Sequence, residues 1–123
     1  MEKILKLYSL LKEKGFDTLD HVTENNMNYS SVADFRDKPG LCQTIVDHDL
    51  GYVSMADVLV VVADSPSYGT AMEMCMAKRF GKKIILLASN PIPTPWPIHF
   101  SDYLVSNIQE LYKTLDEIRE KNQ

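Results

Sequence analysis

The sequence predicts a three-layer α/β sandwich with a mainly parallel sheet. Two apolar runs carry that reading. Val58-Leu59-Val60-Val61-Val62-Ala63 and Lys82-Lys83-Ile84-Ile85-Leu86-Leu87-Ala88 are rich in β-branched residues and do not alternate with polar ones. Strands covered on both faces, as parallel strands are, read this way. The third observation is what joins them. A turn (Asp64–Gly69), a helical stretch (Thr70–Phe80) and a stop at Gly81 make a strand–helix–strand unit with a right-handed crossover expected.

The remaining elements follow in chain order. Ile4–Lys14 spaces Ile4, Leu5, Tyr8 and Leu11 helically, with lysines on the other side, and Gly15 ends it. Phe16–Val22 reads as a short strand. Thr23–Gly40 is polar and irregular, and loops of that length in small domains are commonly functional. Leu41–Met55 reads as a helix. Beyond the second apolar strand, Asn90–Pro97 holds four prolines around Trp96 and reads as a loop. A short strand is expected at Tyr103–Val105. Ser106 with Gln109 reads as a capping box for a last helix, whose Ile108, Leu111, Tyr112, Leu115 and Ile118 share a face.

Composition sets bounds on function. The 123 residues fit a single domain spanning 1–123. Thirteen basic against seventeen acidic residues give a net charge of −4, which disfavours a nucleic-acid partner. No apolar run reaches the roughly 20 residues of a membrane span, so no membrane partner is expected. Cys42 and Cys75 stand far apart, with neither CxxC nor Cys/His spacing. Neither a disulfide framework nor a metal site is expected, and a cytoplasmic location follows as the default.

Ligands of open parallel sheets bind beyond the carboxyl ends of the strands. That rule selects His21–Thr23, Asp64–Glu73 and Ser89–Trp96. In the middle segment Ser65, Ser67, Gly69 and Thr70 crowd the turn that opens a helix. Free N–H groups and the helix dipole attract an anion there, and hydroxyls add donors. The same residues also make an ordinary capped turn. Taking Thr70 as N-cap puts Glu73 in the first helical turn, where the dipole favours its ionised form. Such a carboxylate is a candidate nucleophile. It is equally the third residue of a Thr70–Glu73 capping box. Asp49, eight positions before Asp57, is a second candidate carboxylate, or else a solvated surface acid. Asp47, His48 and Asp49 are consecutive and are not expected to face one site. His21 ends the first expected strand, where a histidine is a ligand contact or, more often, a partly buried structural residue. Met72, Met74, Met76 and Cys75 surround a helix and read as core and subunit-contact residues. Trp96 and Tyr68 are candidates for stacking a base, though a tryptophan in a proline-rich loop is as often a packing anchor.

The run Ala56-Asp57-Val58-Leu59-Val60-Val61-Val62-Ala63, with Pro66-Ser67-Tyr68-Gly69-Thr70-Ala71-Met72-Glu73, Ala77 and Gly81-Lys82-Lys83-Ile84, resembles the nucleoside 2-deoxyribosyltransferase superfamily. Leu19-Asp20-His21-Val22, Val46-Asp47-His48-Asp49-Leu50 and Ser67 are most similar to its 2′-deoxynucleoside 5′-phosphate N-hydrolase branch, where a serine takes the place of the transferases' acid. The resemblance implies a flavodoxin- or Rossmann-like sheet and hydrolysis of the N-glycosidic bond of deoxynucleoside 5′-monophosphates, or a related deoxyribosyl transfer. Glu73 would attack C1′, and Asp49 would orient the sugar or assist proton transfer. Ser67, with N–H groups near Gly69, would hold the 5′-phosphate, and His21 would lie near the base or sugar. No cofactor is implied, and the partners implied are a small nucleotide and further copies of the chain, as a homodimer or larger. The chain starts in what matches the family's first helix, without its opening strand and Gly/Ser-rich loop. That strand is central in the family's 2-1-3-4-5 order, so two strands are expected to lack their common neighbour. A nucleotide-binding module without turnover is the alternative reading.

Overall fold

The computed structural model describes residues 2–18, 32–64 and 67–121. The chain divides into two compact units, Met1–Met55 and Ala56–Gln123.

The described residues of the first unit form two helices. Helix α1 (Glu2–Glu13) ends as its sequence predicts. Gly15 takes φ +87°, a left-handed value that suits glycine, and lets the Phe16 N–H donate to Leu11 O at 3.1 Å. Helix α2 (Pro39–Met55) starts two residues before its expected boundary. Proline fits a first helical turn because its missing N–H would have no partner there. Phe16–Thr18 is not a strand. The rest of the expected Phe16–Val22 strand, His21 included, lies outside the described residues.

Among the described residues the second unit is built on a parallel sheet of three strands in the order β1-β2-β3. Strand β1 is Val58–Val62, β2 is Lys83–Leu87 and β3 is Tyr103–Val105. Val58 pairs with Lys83 and Val62 with Leu87, while Ile85 pairs with Tyr103 and Leu87 with Val105. Helix α3 (Tyr68–Arg79) joins β1 to β2 and packs on both. Gly81, at φ +75°, closes it, with the Lys82 N–H donating to Ala77 O at 2.9 Å. Helix α5 (Ile108–Lys121) packs on β2 and β3.

Successive strand residues face opposite sides of a sheet. Ile84, Ile85 and Leu86 are all fully buried, so β2 is covered on both faces. The helices contribute Met74 and Ala77 from α3 and Leu111, Leu115 and Ile118 from α5 to this core. Strand β1 differs from its expectation. Only Val61 is buried and its neighbours are half-buried, as suits a strand paired, among the described residues, on one side alone.

Two further expectations need correction. The expected loop Asn90–Pro97 stops short at Pro95: Trp96–Phe100 form a short helix, α4, packed against α3 and β2. Pro97 sits in its first turn, where a proline costs no hydrogen bond. The cap of α5 is Asn107, not Ser106: its Oδ1 accepts from the Glu110 N–H at 2.9 Å. Glu110 reaches back to the Ser106 N–H at 2.7 Å, so Glu110 fills the reciprocal role expected of Gln109.

Candidate functional site

The turn between β1 and α3 leaves the sheet at the carboxyl end of β1, the end at which parallel sheets bind ligands. Its helix begins earlier than its sequence suggests. Ser67 is the N-cap: its Oγ accepts from the Thr70 N–H at 3.1 Å and donates to Thr70 Oγ1 at 3.0 Å. Thr70 is therefore the third residue of the helix rather than its cap.

This shift changes the reading of Glu73. The capping box predicted for Thr70 and Glu73 needs the Thr70 N–H, which Ser67 takes instead. Glu73 moves from the first turn to the second, where the dipole's pull on a carboxylate has largely faded. It still stands three residues after Thr70, on the same stripe of α3 and half-buried beside Met74 and Ala77. Thr70 and Glu73 thus stay neighbours, one turn apart, on the flank of α3 that meets the sheet.

Gly69 lies in the first turn of α3. Among the described residues a side chain there would meet nothing nearer than Ser67 Oγ at 3.9 Å. Ser65 lies outside the described residues. Tyr68 is 94% exposed and Trp96 71%, so neither is a packing anchor. Of the methionines around Cys75, Met74 is buried and Met72 is exposed.

Asp49 belongs to the other unit and is not a solvated surface acid. Ile45, Asp49 and Val53 fall at i, i+4 and i+8 on one face of α2, and both apolar members are buried. The Asp49 side chain is only 12% exposed. A carboxylate on such a face needs a partner. His48 supplies it, with Nδ1 3.3 Å from Asp49 Oδ1. Consecutive residues were expected to diverge, and Asp47 does point to solvent, but the His48 and Asp49 side chains converge.

An open concavity of about 500 Å3 lies past the end of α1, lined by Lys12, Gly15, Phe16, Asp17 and Thr18. None of the candidate site residues among the described residues lines it. Among the described residues no group of three His, Cys, Asp or Glu side chains is placed to hold a metal ion. No described helix is long and apolar enough to cross a membrane.

The fold defines a class, a mixed α/β protein with a small parallel sheet. Within that class, comparison with protein-family models, curated proteins and solved structures gives no match.

Proposed function

We propose that the chain is an N-glycosidase of the nucleoside deoxyribosyltransferase kind, acting on 2′-deoxynucleoside 5′-monophosphates with Glu73 as nucleophile. The observation that carries the reading is the β1–α3 connection. A parallel strand runs into a serine-capped helix that bears a half-buried glutamate one turn beyond Thr70. The resemblance of Ala56–Lys83 supplies the chemistry. Glu73 attacks C1′, the C1′–N bond breaks, and its electron pair leaves with the base. Water then cleaves the glycosyl ester, releasing 2-deoxyribose 5-phosphate and freeing the carboxylate, the two-step logic of retaining glycosidases. The first-turn N–H groups beside Gly69 and the Ser67 and Thr70 hydroxyls receive the phosphate. Asp49 enters on the resemblance alone, to orient the sugar or to move a proton. Deoxyribosyl transfer to a second base is the same chemistry with another acceptor.

The same reading includes a three-layer, flavodoxin-like arrangement, which the burial of successive residues in β2 supports. It also includes a cytoplasmic home and a homo-oligomer. The exposure of Tyr68 and Met72, one turn apart on α3, is in keeping with a subunit contact.

The test is incubation with each deoxynucleoside monophosphate, with free base read by chromatography. Release of base by wild type, its loss in Glu73→Gln, and a glycosylated peptide containing Glu73 are the expected results. No release by folded protein overturns the hydrolytic reading. One observation favours a second reading, a nucleotide-binding module without turnover. The Ser67 hydroxyl already serves Thr70, so it holds an anion only by sharing its bonds. That reading predicts melting shifts that follow ligand concentration with no base released.

A further inference from the structure

Asp49 has one side-chain partner among the described residues, and that partner is itself held. The His48 imidazole meets the Tyr52 ring edge-on, with centroids 4.7 Å apart and planes at 78°. Its Nδ1 faces the Asp49 carboxylate at 3.3 Å. Its Nε2 is buried and has no hydrogen-bond partner among the described residues.

This asymmetry selects a tautomer. A neutral imidazole carries one N–H and one lone pair. With the proton on Nε2, a buried donor would go unmet and two lone pairs would face each other across the Nδ1–Oδ1 gap. With the proton on Nδ1, it is donated to a carboxylate, the stronger kind of hydrogen bond. The imidazolium donates through Nδ1 as well. His48 therefore offers Asp49 a donor in both of its protonation states, and the carboxylate keeps one oxygen tied and one, Oδ2, uncommitted to His48.

We infer that His48 is a positioning residue for Asp49, fixing Oδ1 through Nδ1–H so that Oδ2 is the oxygen presented to the sugar or to the proton in transit. The inference rests on the proposed role of Asp49 in deoxynucleotide cleavage. His48 does not itself touch the substrate. Its effect passes through one hydrogen bond, which sets the size of the expected changes.

Two measurements test it. In wild-type protein, the ring 15N shifts of neutral His48 should show Nδ1 protonated and Nε2 bare, and Asp49→Asn should disturb that pattern. In turnover of deoxynucleoside monophosphates, His48→Leu should lower kcat by about tenfold, the scale of one charge-assisted hydrogen bond, with KM little changed. His48→Asn places an N–H near the position of Nδ1–H and should recover most of the loss. His48→Leu should add nothing on an Asp49→Asn background. A protonated Nε2 in the neutral ring overturns the inference whatever the turnover. So does wild-type kcat in His48→Leu, or additive effects of the two substitutions, while base release by wild type leaves the hydrolytic reading standing. No turnover by wild type overturns both. Should His48→Leu not fold, the wild-type tautomer and the kcat of His48→Asn decide.

Discussion

Ser67 and Thr70 close the first turn of α3 on each other: the serine oxygen receives the Thr70 N–H at 3.1 Å and gives its own proton to Thr70 Oγ1 at 3.0 Å. A helix whose cap is already satisfied can still bind an anion, because the N–H groups between cap and third residue point outward. The structural and binding roles of Ser67 can therefore be separated. Ser67→Ala should destabilise the protein by about 1 kcal/mol, the usual cost of losing a cap. Ser67→Asp keeps a capping oxygen and suits the positive end of the dipole, so its stability should match wild type. It puts a charge where the phosphate is proposed to sit. It should weaken binding of the monophosphate and spare the corresponding nucleoside, which has no phosphate to repel. Thermal melts and titration with the two ligands check both halves. Equal affinity of Ser67→Asp and wild type for the monophosphate would remove the phosphate from this helix end.

Asp102 ties three elements together at the opposite, amino end of the sheet. Its N–H donates to Ile84 O at 2.8 Å, its Oδ2 accepts from the Ile84 N–H at 2.8 Å, and Lys78 Nζ stands 3.1 Å from Oδ1. Burial raises its pKa, but the Ile84 N–H, the Lys78 bond and charge, and the charge of Lys83 outweigh burial and hold it below the ordinary carboxylate value. A carboxyl whose pKa falls on folding stabilises the folded state at pH above its unfolded value, near 3.9. That contribution is lost as pH drops through the folded value. Asp102→Asn should thus be less stable than wild type at pH 7, and the gap should close as both are acidified below the folded pKa. Asp102→Ala also leaves the Ile84 N–H without its acceptor and should cost about 1–3 kcal/mol at neutral pH. Denaturant melts from pH 7 downward give the sign directly, and a gap that widens in acid would refute it.

The elements most legible in the sequence are those with one physical cause. Ile84-Ile85-Leu86 reads as a strand covered on both faces because no polar residue interrupts it, and all three are buried. Gly15 and Gly81 end their helices with positive φ, which the sequence signals by glycine alone. Where two causes compete, the reading slips. Ser67 and Thr70 are both good caps, and the choice turns on where the backbone first becomes helical, which hydrophobic spacing does not record. Prolines mark loops and first turns alike, so α4 was hidden behind Pro95 and Pro97. Asp49 is the least legible of these residues. A carboxylate between Ile45 and Val53 breaks the apolar stripe, and only its packing shows that it stays on the shielded side with His48. The candidate site was legible as residue types, and their hydrogen-bond assignments were not.

Gly69 allows a sharper test of the proposed anion site, because stability and binding should move in opposite directions. It occupies the first turn of a helix, and among the described residues nothing keeps a side chain out, the nearest atom being Ser67 Oγ at 3.9 Å. Glycine costs a helix more backbone entropy than alanine does. Gly69→Ala should therefore stabilise the protein by about 0.4–1 kcal/mol, mainly by restricting the unfolded chain. A phosphate held on the first-turn N–H groups approaches the backbone closely on the side of this residue, and the added methyl should hinder it. The expected outcome is a higher Tm together with a weaker Kd for deoxynucleoside monophosphate. A higher Tm with unchanged Kd would mean that no ligand approaches the backbone at Gly69. A lower Tm would contradict the open space beside it.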